Sequence, residues 1–177
     1  KVYDLLQDRR RENPLQVREG TDEGHTVYVQ GLSEYRATCR EDVMALLHRG
    51  MRNRAIRATD FNQMSSRSHM IFQARLQIVL PKPKDDDSNA HLPIIRRAVL
   101  TFVDLAGSEK WRDAQSSDAT RELTNINTSL SALANCISAI VEPGRRHIPF
   151  RDSVLTRLLQ DSLGGRARSL LLATVQN

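Results

Sequence analysis

Two cysteines, 5% aromatic residues, eight glycines and six prolines in 177 residues exclude several classes of protein at the outset. Cys39 and Cys136 are too few and too widely spaced for a disulfide framework or a CxxC metal site, and both read as reduced thiols in a cytosolic protein. The scarcity of glycine and proline excludes a collagen-like fibre, and an apolar content of 40% excludes a disordered chain. Apolar runs such as those at residues 139–141 and 170–173 fall far short of the roughly 20 residues needed to cross a bilayer. The opening Lys1-Val2-Tyr3-Asp4-Leu5-Leu6 has neither the apolar centre nor the cleavage site of a signal peptide. Few aromatics also leave no stacking platform of the kind that reads nucleic acid.

What is present is a modest positive excess. Lys and Arg number 26 against 21 Asp and Glu, a net charge of +5, which argues for an acidic partner: nucleic acid, an anionic membrane or an acidic protein surface. Composition does not choose among them. The length suits one domain of about 150 residues or slightly more.

Hydrophobic patterning points to an α/β chain. The abrupt apolar start at Val2 suggests that the chain opens inside an element. Leu15 to Arg18 and Thr26 to Val29 read as short strands separated by Gly20 and Gly24. Thr38 and Glu41 are spaced as a capping box before Val43, Leu46, Leu47 and Met51, predicting a helix over about 39–52. Residues 70–80 alternate, with Phe72, Ala74, Leu76, Ile78 and Leu80 on the expected buried side. The polar connector 81–93 reads as a long, mobile hairpin loop. It leads into the apolar run 98–103, expected to be buried on both faces. Leu123, Ile126, Leu130, Leu133, Ile137 and Ile140 mark an amphipathic helix ending near Pro143-Gly144. Asp152 or Ser153 is placed to cap a further helix that carries Leu155, Leu158, Leu159 and Leu163 inward and stops at Gly164-Gly165. A last strand is expected from Ser169 to Val175.

Two stretches gather small, polar and charged residues beside these strands. One is Asn62-Gln63-Met64-Ser65-Ser66-Arg67-Ser68-His69, before the 70–80 strand. The other is Asp104-Leu105-Ala106-Gly107-Ser108-Glu109, after the 98–103 strand. A carboxylate ending a buried strand, with glycine three residues on, follows the logic of a magnesium-supporting Asp and a backbone N–H that approaches a phosphate. Taken singly, each stretch also reads as an ordinary turn or strand entry. If the second strand runs parallel to its neighbours, its carboxyl end opens onto the crevice where ligands of α/β sheets bind. Between 145 and 168 lie six arginines against two aspartates, so four of the five net charges sit in one segment, which by itself could be a solvated face.

Together, N-x-x-S-S-R-S-H and V-D-L-A-G-S-E resemble switch I and switch II of the kinesin motor family, in order and separated by a strand hairpin. Asn125 to Leu133 resembles the family's switch II helix, His147 to Gly165 its microtubule-facing loop and helix, and KVYDLL its strand ending in Asp-Leu-Leu. The resemblance covers essentially all of 1–177. It implies a P-loop NTPase (kinesin-like) fold with a mixed central sheet flanked by helices. Switch I would lie at about 62–69, switch II at about 104–109, and the microtubule-facing elements at about 120–165. It further implies ATP and Mg²⁺ as cofactors, contacted by Asn62, Ser65, Ser66, Asp104 and Gly107, with Ser66 on the metal and Asp104 supporting it through water. Gly107 would sense the γ-phosphate, and Arg67 would pair with Glu109 to close the switches. Arg145, Arg146, His147, Arg151 and Arg157 would meet the acidic surface of tubulin, although His147 also reads as a packed loop histidine. The parent would be an ATP-hydrolysing microtubule motor of the cytoplasm and cytoskeleton, without nucleic-acid or membrane partners. A homodimer would form through segments outside this chain.

The sequence departs from the family in places. Nothing matches G-x-x-x-x-G-K-[ST], and the closing helix after the Ala-Thr-Val segment is absent. The expectation is therefore a carboxyl-side portion of a motor domain, truncated at both ends and inactive alone. The alternative is a non-enzymatic microtubule-binding relative that has lost ATP binding. Lys110 to Asp118 lacks the glycine usual in the family's loop, and Thr128 and Val154 stand where many members have Lys.

Overall fold

The computed structural model describes residues 1–7, 13–22, 25–60, 68–80, 94–107 and 117–173. The chain divides into two compact units, one made of residues 1–69 and 106–177 and the other of residues 70–105.

In the first unit, β1 (Gln16–Asp22) and β2 (His25–Gln30) form an antiparallel hairpin with Val17 opposite Val29 and Arg18 opposite Tyr28. The KVYDLL segment contributes a single bridge, Val2 to Leu15. Its Asp4 carboxylate accepts from the Leu6 N–H (2.8 Å), the Ser33 N–H (2.7 Å) and the Ser33 hydroxyl (2.6 Å).

Helix α1 (Arg40–Asp60) is longer than its predicted span. The carboxylate that closes its start is Asp42 rather than Glu41: Oδ2 accepts from the Thr38 N–H (2.8 Å), the Thr38 hydroxyl (2.9 Å) and the Cys39 N–H (3.3 Å). With Cys39 as the residue flanking the helix, Asp42 occupies the third helical position, from which an acidic side chain reaches back over the first turn. These bonds, the Thr38 N–H first, hold the Asp42 carboxyl below its ordinary range. Further along, Asn53 donates to the Leu5 carbonyl at 2.7 Å, and buried Gly50 lies against Leu5 and Leu6.

Helix α2 (Ser117–Val141) and the short α3 (Val154–Leu158) hold most of the fully buried residues. The inward face of α2 is made of Ile126, Ala132, Leu133, Cys136 and Ala139, whereas Ile137 and Ile140 are exposed. The predicted apolar stripe is thus rotated, because small side chains at 132, 136 and 139 form the buried contact face while the larger β-branched residues lie beside it. Leu155, Thr156 and Leu159 are the buried residues of the α3 segment. Ser153 caps α3: its hydroxyl accepts from the Thr156 N–H (3.0 Å), while the Thr156 hydroxyl accepts from the Ser153 N–H (3.1 Å). Of the two predicted caps, Ser153 is the one used. A 3₁₀ turn, Phe150–Asp152, precedes α3, and a wide helical turn, Ser162–Arg166, follows it. That turn ends at Gly165, whose φ of +90° favours glycine.

The second unit is a ribbon of β3 (Met70–Leu80) and β4 (Ile94–Asp104), antiparallel and in unbroken register from Met70 opposite Asp104 to Leu80 opposite Ile94. Phe72 and Phe102 face each other with ring centroids 6.3 Å apart. The predicted hairpin is present, but its burial is not: Leu76, Ile78, Leu100 and Phe102 are exposed. Two strands alone cannot cover both faces of a ribbon, and among the described residues no further strand pairs with β3 or β4. The described neighbour of β4 runs antiparallel to it, so the condition for a parallel-strand crevice is not met by this pair.

Residues 169–173 form no strand, and Leu170, Leu171 and Leu172 are 84%, 71% and 81% exposed. An apolar segment becomes a strand only when another pairs with its backbone, and none of the described residues does so. The connector 81–93 lies outside the described residues.

Candidate functional site: two motifs joined at a ribbon end

The register of β3 and β4 sets the geometry. Because Met70 sits opposite Asp104, the end of the first motif and the start of the second leave the ribbon side by side. They then meet at one imidazole. His69 Nδ1 accepts the Ala106 N–H at 3.0 Å, and His69 Nε2 lies 2.8 Å from the Ser129 hydroxyl on α2. Ser129 Oγ spends its proton on the Ile126 carbonyl (2.7 Å), which leaves Nε2 as the donor of the imidazole contact. Ala106 is buried, and a buried N–H left without an acceptor costs about 1–3 kcal/mol. The neighbouring Ser68 is held from α1: Arg54 Nη2 donates to its carbonyl (2.7 Å) and Nε to its hydroxyl (3.2 Å).

Of the predicted nucleotide-site residues, Asp104 closes β4 and is exposed, and Gly107 follows it, also exposed. A carboxylate oxygen at a strand end and a backbone N–H unobstructed by a side chain are hard-cation and phosphate donors in kind. Asn62, Ser65, Ser66, Arg67 and Glu109 lie outside the described residues, as do the predicted contacts of the Arg67–Glu109 pair.

The basic segment is more neutralised than its sequence suggests. Glu19 on β1 accepts from Arg151 Nη2 (2.8 Å) and from Arg157 Nη2 (3.2 Å). Arg145 pairs with Glu142 at 2.7 Å. The Arg157 side chain is only 27% exposed, and its Nε is buried without a hydrogen-bond partner. Arg146 and His147 are exposed, and the His147 carbonyl accepts from Arg145 Nε at 3.4 Å. Exposed pairs of this kind contribute at most about 1 kcal/mol each.

Sequence reasoning assigned no role to His69, Ser129, Arg54 or Glu19. The first motif contains His69, but its partners are 37 and 60 residues away. Glu19 is 132 residues from Arg151. No local spacing reports such contacts.

Comparison with known proteins agrees with these motifs. The family model described as the kinesin motor domain matches residues 1–177. Kinesin-related protein 5 of Dictyostelium discoideum is 42% identical over 98% of this chain and 16% of its own length. Kinesin-like protein KIN-8A of Arabidopsis thaliana is 43% identical over 98% of this chain and 22% of its own. The chain thus spans about a fifth of the curated relatives it matches. Among solved structures, one of a fast kinesin, reported with implications for its ATPase mechanism and interactions with microtubules, superposes with a TM-score of 0.69 at 36% identity. The match covers 89% of this chain and 41% of that one. With both motifs joined at the ribbon end and the family match running from the first residue to the last, this chain belongs to the kinesin motor domain family.

Proposed function

We propose that this chain supplies the nucleotide-sensing switches and the track-binding face of an ATP-driven microtubule motor. The observation that carries the reading is the joining of the two motifs at the Met70–Asp104 end of the ribbon, closed by the His69–Ala106 bond. Phosphoryl transfer needs positioned charge more than covalent chemistry, and the contact between His69 and Ala106 brings the described ends of the two motifs together. Asn62, Ser65, Ser66, Asp104 and Gly107 would hold nucleotide and Mg²⁺, which supplies charge neutralisation at the phosphates. Asp104 offers a single carboxylate, as suits an ion that keeps several waters. Gly107 presents its N–H to the γ-phosphate, while Arg67 and Glu109 form a latch that closes in one state and opens in the other. When Gly107 loses that partner, the segment beyond it relaxes and α2 moves with it.

The track-binding face comprises Arg145, Arg146, His147, Arg151 and Arg157, whose charge complements the acidic surface of tubulin. Its site of action is the microtubule cytoskeleton of the cytoplasm, and any dimer forms through segments outside this chain.

The test is turnover in the full motor domain, with and without microtubules. Glu109→Ala should lower hydrolysis by about two orders of magnitude, the usual loss on removing one transition-state contact, with nucleotide affinity preserved. Undiminished turnover refutes the latch. The transcript upstream of Lys1 separates the motor from a non-enzymatic microtubule binder. A Gly-Lys-Thr loop supports the motor, and a natural start without one overturns it.

A further inference from the structure

We infer that His69 is a positioning residue that couples the Ala106–Gly107 segment to helix α2, acting as a neutral imidazole with its proton on Nε2. The inference rests on the motor reading above and extends it to a residue that has no place in the latch.

Two independent bonds fix the tautomer. Nδ1 accepts from the Ala106 N–H at 3.0 Å, so it carries no proton. On the other side, Ser129 Oγ donates its only proton to the Ile126 carbonyl at 2.7 Å, so the 2.8 Å contact must run from Nε2–H to Oγ. The result is an unbroken sequence of donors and acceptors from the backbone of the second motif, through one ring, into the middle of α2. Ala106 immediately precedes Gly107, so a shift in the Gly107 peptide is felt at the Ala106 N–H. Ile126, which ends the sequence, is a buried residue of α2.

The ring is also fixed where it joins the chain. Ser68 is gripped on its carbonyl and hydroxyl by Arg54 from α1, and Met70 begins β3 in register with Asp104. A side chain held at its base and bonded at both nitrogens transmits displacement instead of absorbing it. Replacement of either bond by water would leave α2 and the Ala106–Gly107 segment free to move separately.

The two arms can be cut one at a time. In His69→Asn the amide oxygen stands near the position of Nδ1 and keeps the Ala106 acceptor, while the reach to Ser129 is lost. Ser129→Ala removes the same arm from the other end. His69→Gln keeps a donor near Nε2 and removes the Ala106 acceptor. In the full motor domain each variant should lower the ratio of microtubule-stimulated to basal ATP turnover by about tenfold, the effect of one lost hydrogen bond. Combining His69→Asn with Ser129→Ala should cost no more than either alone. Nitrogen-15 NMR of labelled histidines, with the His69 signal assigned by its disappearance in His69→Gln, should report the Nε2–H tautomer.

A wild-type motor with stimulated turnover whose ratio survives all three substitutions refutes the coupling role alone. Fully additive losses in the double variant refute the shared arm, and the opposite tautomer refutes the bonding scheme. A wild-type protein without stimulated turnover refutes the motor reading, and the coupling role falls with it.

Discussion

Thr156 provides the sharpest measure of how the proposed track-binding segment is held together. It is fully buried, and its hydroxyl has a double duty. It donates to the Phe150 carbonyl at 2.8 Å and accepts the Ser153 N–H at 3.1 Å. Thr156→Val keeps the shape and removes both bonds, leaving a carbonyl and an N–H without their partner. At about 1–3 kcal/mol for each unsatisfied buried group, and less where water can reach it, the loss should be about 2–4 kcal/mol. Thr156→Ser retains the hydroxyl and deletes one buried methyl, for about 1 kcal/mol. Ser153→Ala removes the acceptor of the Thr156 N–H and should cost a similar amount. Urea unfolding of the full motor domain, with the slope of the transition unchanged between variants, measures all three. The reasoning fails if Thr156→Val lies within about 0.5 kcal/mol of wild type, or if Thr156→Ser is the more damaging change. Because Phe150 to Asp152 leads directly into α3, Thr156→Val should also loosen Arg151 and Arg157, and weaken microtubule co-sedimentation without touching the nucleotide site.

Other consequences are testable separately. Glu19→Gln releases Arg151 and Arg157 and should tighten microtubule binding about two- to fivefold at low salt, fading as salt rises; unchanged or weaker binding would make Glu19 an organiser of that face. Cys39 is exposed and Cys136 buried, and burial, reinforced by the nearby Asp152 charge, pushes the Cys136 thiol upward. A maleimide should therefore label Cys39 in the native protein and Cys136 only after unfolding, as peptide mapping would show. The Asp42 carboxyl is depressed below 3.8, so its contribution is present above the unfolded value and is lost as pH falls through the folded one. Circular dichroism should show the start of α1 intact at neutral pH and fraying only in stronger acid, and Asp42→Asn should abolish that acid step.

Residues that act through their immediate neighbours were legible in the sequence. The alternation of 70–80 gave β3 its bounds, Ser153 and Gly165 marked the limits of the α3 region, and the two motifs identified the family. What failed depended on partners distant in the chain. The β4 run reads as buried on composition, yet burial requires a second layer that no local pattern supplies. Leu170 to Leu172 carry strand propensity, but among the described residues no strand pairs with them. The stripe on α2 was placed by size, whereas contact selected the small residues Ala132, Cys136 and Ala139. At the candidate site, Asp104 and Gly107 are proposed from their motif alone. His69 could not be given a role, since its two partners come from elements remote in sequence and meet it only after folding. The basic segment was counted correctly, but Glu19, on another element, cancels part of it.

The ribbon of β3 and β4 also bears on handling. Its eleven-residue strands pair only with each other among the described residues, leaving an outer edge on each and exposed Leu76, Ile78, Val79, Ile95 and Leu100. Long edges that expose apolar side chains recruit further strands, and the charges on these two strands are confined to Arg75, Arg96, Arg97 and Asp104. Residues 1–177 produced by themselves should accordingly self-associate as concentration rises, and a charge on the ribbon, such as Val79→Lys, is the substitution most suited to keeping them dispersed.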